Sequence, residues 1–444
     1  MIRFSSSEDI RSWGGVLQAR HNVARPQWRD ELPEVLAVAR HSGSPILATG
    51  LRRSYGDTGL NPDGAILDMT ALDRAIFFDP DSGILRAEAG VSFDMLLKML
   101  IRRGFFLPVT PGTRFVTLGG AIANDVHGKN HHSAGTLGRW VRRIGLLRSD
   151  GLEIELTPQE NTGLFGATIG GLGLTGVITW AEIETVRIAS AIMDVENIPF
   201  ENLDEFFQIA RQSDGEYEYT VAWVDCLAKG KDLGRGLFTR GNHASKGARL
   251  PTKADPKLTI PFNFPSLVLN KLSLGAFNSL YYWKGKRNAG GSKVPIHPFF
   301  YPLDSIGHWY RMYGRRGMYQ YQSAVPPESE RDATKAMLEL ISAAGEGSFL
   351  AVLKTFGDKS SLGMLSFPRP GTTLALDFPN RGSSTLRLMG RLDAIVREAG
   401  GRLYPAKDGR MPADMFRAGY PHWQDFAKYI DPAFESHFWR RVGQ

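Results

Sequence analysis

PGTRFVTLGGAIANDVHGKNHHSAG (111–135) places five glycines, three histidines and a lysine within twenty-five positions. Neutral imidazole is the commonest metal ligand, so His127, His131 and His132 first raise a metal site. His131 and His132 are adjacent, however, and diverge on any regular element, while Asp125 is the only carboxylate or thiolate ligand nearby. Glycine lets backbone N–H groups approach a ligand closely and form anion-binding concavities. Two further segments have the same character, ATGLRRSYGD (48–57) and IGGLGLTGVI (169–178). Three such turns, each beside a strand, point to a long organic cofactor with a pyrophosphate and to no metal. No G-x-G-x-x-G opens a βαβ unit and no G-x-x-x-x-G-K-[ST] is present, which argues against a Rossmann or P-loop site.

The chain has 444 residues, room for two or three domains with real cores. Its 42% hydrophobic and 22% charged content is ordinary for a globular protein, and 49 glycines with 25 prolines imply many turns. No apolar run reaches the roughly 18 residues of a membrane span. The opening MIRFSSSEDIRSWGG has no apolar h-region, so a cytoplasmic or peripheral membrane protein without a secretory signal is expected. Cys226 is the only cysteine, which excludes an intramolecular disulfide framework and a multi-cysteine zinc site. The net charge of +7 favours anionic partners. Much of it lies in KGKDLGRGLFTRGNHASKGARLPTKADPK (229–257), which reads as a solvated, mobile loop or as a surface that meets phosphate or membrane.

The first third alternates strands and helices. ELPEVLAVARHSG (31–43) carries an apolar helical stripe at Leu32, Val35, Leu36 and Ala39 and stops at Gly43. SPILATG (44–50), GAILDM (64–69) and ILRAEAG (84–90) read as strands, the last leading to a helix capped at Ser92 and ended by Gly104. IGLLRSDGLEIEL (144–156) is a hairpin turning at Asp150-Gly151, and GVITWAEIETV (176–186) a long strand. Beyond residue 187 come a helix (200–211), an aromatic strand (217–225), the basic stretch and an apolar segment, IPFNFPSLVLNKLSLGAFNSLYYW (260–283). Strands at 317–325, 348–357 and 372–379 then alternate with helices at 328–345 and 384–401, the pattern of a second α+β domain.

SPILATGLRRSYGD, the 111–135 segment and GLGLTGVI together resemble the FAD-binding domain of vanillyl-alcohol-oxidase type flavoproteins. Within that superfamily the sequence is most similar to the decaprenylphosphoryl-β-D-ribose 2′-oxidase family, the flavin subunit of an arabinose-forming 2′-epimerase. RSYGD, PGTR, HGKNHHSAG, AWVD, QYQ and YPAKD stand in the family's order, and a carboxy-terminal YP-x-W…DP-x-F stretch (420–434) follows. The likeness covers nearly the whole chain and is thinnest at 226–296. It implies an α+β fold of two domains: an FAD-binding domain at 1–187, an antiparallel-sheet substrate-binding domain at 188–401, and a segment at 402–444 returning to the FAD domain. Gly50, Leu51, Arg53, Ser54 and Tyr55 would line the cofactor. Pro111, Gly112, Thr113, Thr117, Gly119, Gly120 and Ala121 would continue the cradle, followed by Asn124, His127, Gly128, Asn130 and His131, with Gly176 and Ile178 closing it. The first turn reads GLRRS where the family has GLGRS, so Arg52 occupies a geometry often left to glycine. Arg53 stands where many relatives carry the histidine that bonds the flavin, which implies non-covalent FAD.

Oxidising a secondary alcohol needs a hydride acceptor, a base for the hydroxyl proton and positive charge where negative charge develops. Lys407 in LYPAKDGR matches the family's active-site lysine and fits the last role. Tyr55 and His127 stand as the base or as groups that orient the hydroxyl, the choice between them open. Gln320 and Gln322 flank Tyr321, so both amides point to one face of a strand. Lys354 is a lone charge on an apolar strand and needs an anionic or hydrogen-bonding partner if buried. Trp223 would form an apolar wall, and Lys129 with His127 would face the sugar while Gly128, Asn130 and His131 hold the flavin. Phe300 replaces a family tyrosine and Ala375 a cysteine of mycobacterial members, so the pocket is not identical to theirs.

The resulting expectation is an FAD-dependent oxidase that converts the ribose 2′-hydroxyl of a polyprenyl-phosphoryl-β-D-ribose to a 2′-keto sugar. An NAD(P)H-dependent short-chain reductase would complete the epimerisation. The stretches 229–257 and 260–283 would give peripheral membrane contact, with 260–283 alternatively a buried core, and no nucleic acid is expected as partner. The alternatives are a sugar or aldonolactone oxidase with a soluble substrate, and a basic lipid- or nucleic-acid-binding protein without redox chemistry.

Overall fold

The computed structural model describes residues 4–248, 258–265 and 268–443. Its architecture rests on three sheets. The first runs in the order Ser5–Arg11, Gln18–Ala24, Ala65–Asp68, Ile46–Thr49. Its last three strands are parallel, which requires a crossover. The helix Leu32–His41 supplies it, burying Leu32, Val35, Leu36 and Ala39. Residues 433–435 return to this sheet: Ile46 N donates to Ala433 O at 2.7 Å and Glu435 N to Ile46 O at 3.0 Å.

The second sheet is antiparallel, in the order Ala75–Phe78, Ile84–Glu88, Val177–Glu184, Val141–Leu147, Glu153–Leu156. Beside it the helix Phe93–Arg102 begins at Ser92, whose Oγ accepts from Met95 N at 3.2 Å. The turn 170–176 ties this sheet to the short helix Leu118–Ala123, with Gly170 N on Ile122 O at 2.9 Å and Leu172 N on Ala123 O at 2.8 Å.

The third sheet has eight antiparallel strands, in the order Gly290–Pro295, Ile192–Phe200, Gly236–His243, Tyr219–Val224, Ala351–Phe356, Gly371–Pro379, Met318–Val325, Arg402–Leu403. Side chains alternate across a strand, so each strand divides its residues between two environments. Ala222, Val224, Tyr321, Leu353, Leu374, Leu376 and Phe378 face the helices Leu203–Ser213, Glu330–Ala344 and Ser383–Glu398 and form one core with them. Each fully buried Leu, Met or Phe there contributes roughly 2 kcal/mol by leaving water. The residues between them look the other way, toward the glycine-rich turns. That second face is the one that matters for chemistry.

Two readings of the sequence are corrected. The basic stretch 229–257 is not a loop throughout, because Gly236–His243 is a central strand of the large sheet. Two of its charges are paired, Arg235 with Asp225 at 2.9 Å and Arg240 with the distant Glu196 at 2.7 Å. Residues 249–257 lie outside those described. The segment 260–283 is not a buried core either: it leads into a helix, Lys271–Arg287, in which only Leu274 and Asn278 are buried. No helix among the described residues is long and apolar enough to cross a membrane.

Candidate active site

Two tight turns bring the first and third sheets together. Gly56 lies so close to the 406–409 turn that a Cβ there would stand 1.5 Å from Asp408 O. Tyr55 N donates to Ala406 O at 2.9 Å, and the Lys407 ammonium sits 4.2 Å from the centre of the Tyr55 ring. The sheet brings up the other residues by register. Gln320 pairs with Asp377, Gln322 with Ala375, Ala375 with Val352, Val352 with Trp223, and Lys354 with Thr373. Directly paired residues share a face, so these side chains form one surface.

His127 docks on that surface. Gln322 Nε2 reaches His127 Nε2 at 3.2 Å and Thr373 Oγ1 at 3.2 Å, and the imidazole is boxed by Phe356, Phe367 and Tyr404. Gln320 Nε2 donates to Asp377 Oδ1 at 2.8 Å, and Tyr313 OH to Asp377 Oδ2 at 3.3 Å. Lys354 Nζ reaches Gly128 O at 3.4 Å. His131 packs on Phe356 with ring centres 4.6 Å apart, whereas His132 turns its Nε2 to Tyr217 O at 2.8 Å. The neighbouring imidazoles diverge.

Burial sets the charge states. Desolvation lowers Lys407 to about 8 against the opposing pull of Asp377. Lys354 falls to about 8 through desolvation and repulsion by Lys407. Asp377 rises to about 6, chiefly by desolvation, with the Gln320 hydrogen bond and Lys407 holding it down. Desolvation, then the Lys354 charge, pushes His127 well below its usual range, and His131 to about 3. Tyr55, desolvated and near Asp377, is raised well above the ordinary phenol value. Near neutral pH the cluster therefore holds neutral imidazoles, a protonated Tyr55, mostly cationic Lys354 and Lys407 and a mostly anionic Asp377.

The remaining sequence candidates fall around this cluster. Gly50 ends a strand against Thr117, whose Oγ1 a Cβ would approach to 2.0 Å, and Thr117 caps Leu118–Ala123 through Gly120 N. Leu51 follows, and Ser54 O accepts from Trp13 N at 3.1 Å. Arg53 lies 3.9 Å over Trp13 and donates Nε to Phe115 O. Pro111 and Gly112 lead to Thr113, whose Oγ1 accepts from Phe115 N, while Gly119 N donates to Ala89 O ahead of Ala121. Asn124 Nδ2 and Asn130 Nδ2 hold Gly120 O and Pro108 O. Gly128 packs under Thr110, and Gly176, at φ +138°, opens the strand carrying buried Ile178. Two substrate candidates border the amide–lysine cluster, Trp223 on the same sheet face and Lys129 near enough to feel the Lys354 charge. Lys129 turns its ammonium onto Phe299 O, and the Trp223 indole donates to Phe349 O at 3.0 Å while meeting Tyr281.

Buried polar atoms without a hydrogen-bond partner among the described residues gather along the same path: Thr49 Oγ1, Arg52 Nη1, Asn124 Oδ1, His127 Nδ1, both His131 nitrogens and Gln320 Oε1. Such atoms cost about 1–3 kcal/mol each when left unmet, so this path fits a large polar ligand such as FAD. A family model described as an FAD binding domain matches residues 21–157. The chain is 40% identical over 433 residues to decaprenylphosphoryl-β-D-ribose oxidase of Mycolicibacterium smegmatis, covering 92% of this chain and 93% of that protein. The chain belongs to the decaprenylphosphoryl-β-D-ribose oxidase family. As a member it is an FAD-dependent oxidoreductase, and FAD is its cofactor. Slighter likenesses reach D-arabinono-1,4-lactone oxidase of Yarrowia lipolytica, 25% identical over 44% of this chain and 37% of that one, and L-gulonolactone oxidase of Mus musculus, 29% identical over 35% of each.

Sequence reasoning passed over Asp377, the carboxylate of this oxidase-family site. LALDF carried the signal: like Lys354, Asp377 is a lone charge in an apolar strand, two residues from Ala375 and so on the same face. Tyr313, Thr373 and the aromatic box around His127 gave no local signal, since only the tertiary fold assembles them.

Proposed function

We propose that this chain oxidises the 2′-hydroxyl of a polyprenyl-phosphoryl-β-D-ribose to the 2′-keto sugar, the first half of an epimerisation to the arabinose form. An NAD(P)H-dependent short-chain reductase would carry out the second half. In this reading residues 1–187 and 402–444 make the FAD unit of a two-domain vanillyl-alcohol-oxidase type fold, and 188–401 the substrate unit. The observation that carries the reading is the sheet face on which Gln320, Gln322, Lys354 and Asp377 meet His127 and Lys407. Amides suit sugar hydroxyls, and two ammonium groups with one carboxylate suit a phosphorylated substrate and proton movement at one carbon.

Bound FAD would accept the hydride of the carbinol carbon. The glycine-rich turns would hold the cofactor without a covalent bond, because Arg53 offers no nucleophile and is engaged with Trp13 and Phe115. His127 accepts from Gln322 at Nε2, which leaves Nδ1–H to orient a substrate oxygen. Near neutral pH the hydroxyl proton has an acceptor in the Asp377 carboxylate, with the small neutral fraction of Lys354 on the same face as a second; protonated Tyr55 is not one. Cationic Lys407 stabilises negative charge that develops beside Tyr55.

The soluble-substrate reading draws on the lactone oxidases, but those likenesses span less than half of the chain. Anaerobic bleaching of the flavin absorbance with a prenylphosphoryl ribose, and with an aldonolactone in parallel, tests the choice. Bleaching by the ribose lipid is expected; bleaching by the lactone alone would overturn the proposal.

A further inference from the structure

The helix Lys271–Arg287 is built inside out for a surface helix. It is fixed to the large sheet by polar and small residues one turn apart. Asn278, fully buried, donates Nδ2 to Asp225 Oδ1 at 2.9 Å, and Asp225 is clasped in turn by Arg235. Tyr282 OH donates to Phe200 O at 3.3 Å, and Gly285 rests on Leu237, which a Cβ would strike at 2.2 Å. Asn270 caps the helix through Leu272 N and Ser273 N. Leu274 is buried with these anchors, but the other large apolar residues are left outward: Leu272 is 83% exposed, Leu280 62% and Trp283 54%, with Phe277 and Tyr281 beside them. Leu272, Leu280 and Trp283 fall on one stripe by their spacing, along a helix of about 25 Å. Ordinary surface helices turn such a stripe to the core.

Charge says what this stripe meets. KLSLGAFNSLYYWKGKR has four basic residues, Lys271, Lys284, Lys286 and Arg287, and no acidic one. Lys286 meets Glu201 at 3.2 Å, and the Arg287 guanidinium lies 4.7 Å from the Trp283 ring. Leu, Phe and Trp flanked by Lys and Arg is the pattern of a helix lying in an anionic membrane interface. Phe262, also exposed, precedes it in the chain. Position supports the same reading. Tyr281 packs on Trp223 at 4.8 Å, and Trp223 leads by cross-strand pairing through Val352 and Ala375 to Gln322. The helix therefore stands at the rim of the sheet face proposed to bind substrate, three strands from Gln322, or roughly 14 Å.

We infer that the helix Lys271–Arg287 docks the protein on an anionic bilayer surface, with the substrate face opening toward the lipid. The link to substrate delivery rests on the proposed function; the docking itself does not. Full-length holoprotein is sedimented with sucrose-loaded vesicles of phosphatidylglycerol and phosphatidylcholine, and with phosphatidylcholine vesicles alone. Expected results are binding that favours phosphatidylglycerol, weakening of about tenfold or more in Leu280→Ser/Trp283→Ser, and loss of the anionic preference in Lys284→Glu/Lys286→Glu. Retained flavin absorbance and melting temperature show that the variants are folded. Turnover of a short, water-soluble prenylphosphoryl ribose is expected to stay at the wild-type rate in both. Wild type that ignores anionic vesicles, or variants that bind like wild type, would overturn the inference. So would a dimer in light scattering that Leu280→Ser/Trp283→Ser splits without changing vesicle binding. Vesicle binding as expected, with no ribose lipid oxidised by any form, would sink the proposed function and leave the docking standing.

Discussion

His127 and Gln322 face each other at 3.2 Å, Nε2 to Nε2, inside a box of Phe356, Phe367 and Tyr404. An amide nitrogen only donates, so the imidazole must accept, which makes it neutral with its proton on Nδ1. Its depressed proton affinity agrees with that state. His127→Ala should lower kcat by about a hundredfold, within the range for loss of a positioned proton-handling group. FAD should stay bound, as the flavin spectrum of purified protein will show. Loss of flavin instead would move His127 from the substrate side to the cofactor side.

Lys407 stands 4.2 Å from the Tyr55 ring on a turn held by Tyr55 N to Ala406 O. Lys407→Met keeps the stem and removes the charge. Turnover should fall about a hundredfold or more, the scale for losing one preorganised electrostatic contact in a dry site. The melting temperature of the apoprotein should hold or rise, since a desolvated ammonium is removed. A fall of several degrees would recast Lys407 as a structural residue.

Asp377 near 6 and Lys407 near 8 set a window for activity. kcat/KM should climb through about pH 6 as Asp377 ionises and decline above about pH 8 as Lys407 loses its proton. Asp377→Asn supplies the sign test. The anion raises Lys407, so its removal should abolish the acidic limb and move the alkaline limb to lower pH. An alkaline limb that stays in place would show the two residues to be uncoupled.

Most elements were legible because local chemistry and tertiary fate agree in them. Ser92 caps a helix, Gly43 ends one, and Gln320 and Gln322 share a face as alternation demands. Three features were illegible for definite reasons. The strand Ser5–Arg11 is polar and lies at a sheet edge, so it has no apolar alternation. Gly236–His243 looked like a basic loop because Glu196, which neutralises Arg240, is 44 residues away. The helix Lys271–Arg287 inverts the usual code, burying Asn278 and exposing Leu280 and Trp283. The residues of the site could be picked out singly, but the contact of His127 with Gln322, 195 residues apart, exists only in the fold.

Arg52 occupies the left-handed region at φ +50°, where the family's turn carries glycine. A non-glycine residue there costs about 1–2 kcal/mol. Its Nη2 reaches Asp68 at 3.5 Å, but Arg25 pairs with Asp68 too, so that contact is partly redundant. Nη1 is buried without a partner among the described residues, close to the turn that would hold the FAD pyrophosphate. Arg52→Gly should leave the apoprotein as stable or about a degree more so, yet weaken FAD several-fold in a fluorescence titration. A stable variant with undiminished FAD affinity would show that the strain serves no contact with the cofactor.

Asp57, wholly buried, is gripped by Arg441 at 2.9 and 2.8 Å, and Arg441 also meets Asp408 at 2.9 Å. The last helix, His437–Val442, thus closes over both the RSYGD turn and the turn that carries Lys407. Arg441→Ala leaves two buried carboxylates facing each other without the guanidinium that bridges them, with the His437 ring still 3.4 Å from Asp57, a loss of about 3 kcal/mol or more. The sign with pH follows from burial, which already raises Asp57 above its ordinary value. Without Arg441 that rise grows, so the folded protein holds the Asp57 proton more tightly than the unfolded chain does. The destabilisation should then be largest at pH 8 and shrink toward pH 5, as Asp57 becomes neutral. Thermal melts at the two pH values check this, and Asp57→Asn in the Arg441→Ala background should restore part of the loss at pH 8 with little effect at pH 5. An Arg441→Ala deficit that is the same at both pH values would mean that packing by the Arg441 stem, and not its charge, closes the C-terminal segment.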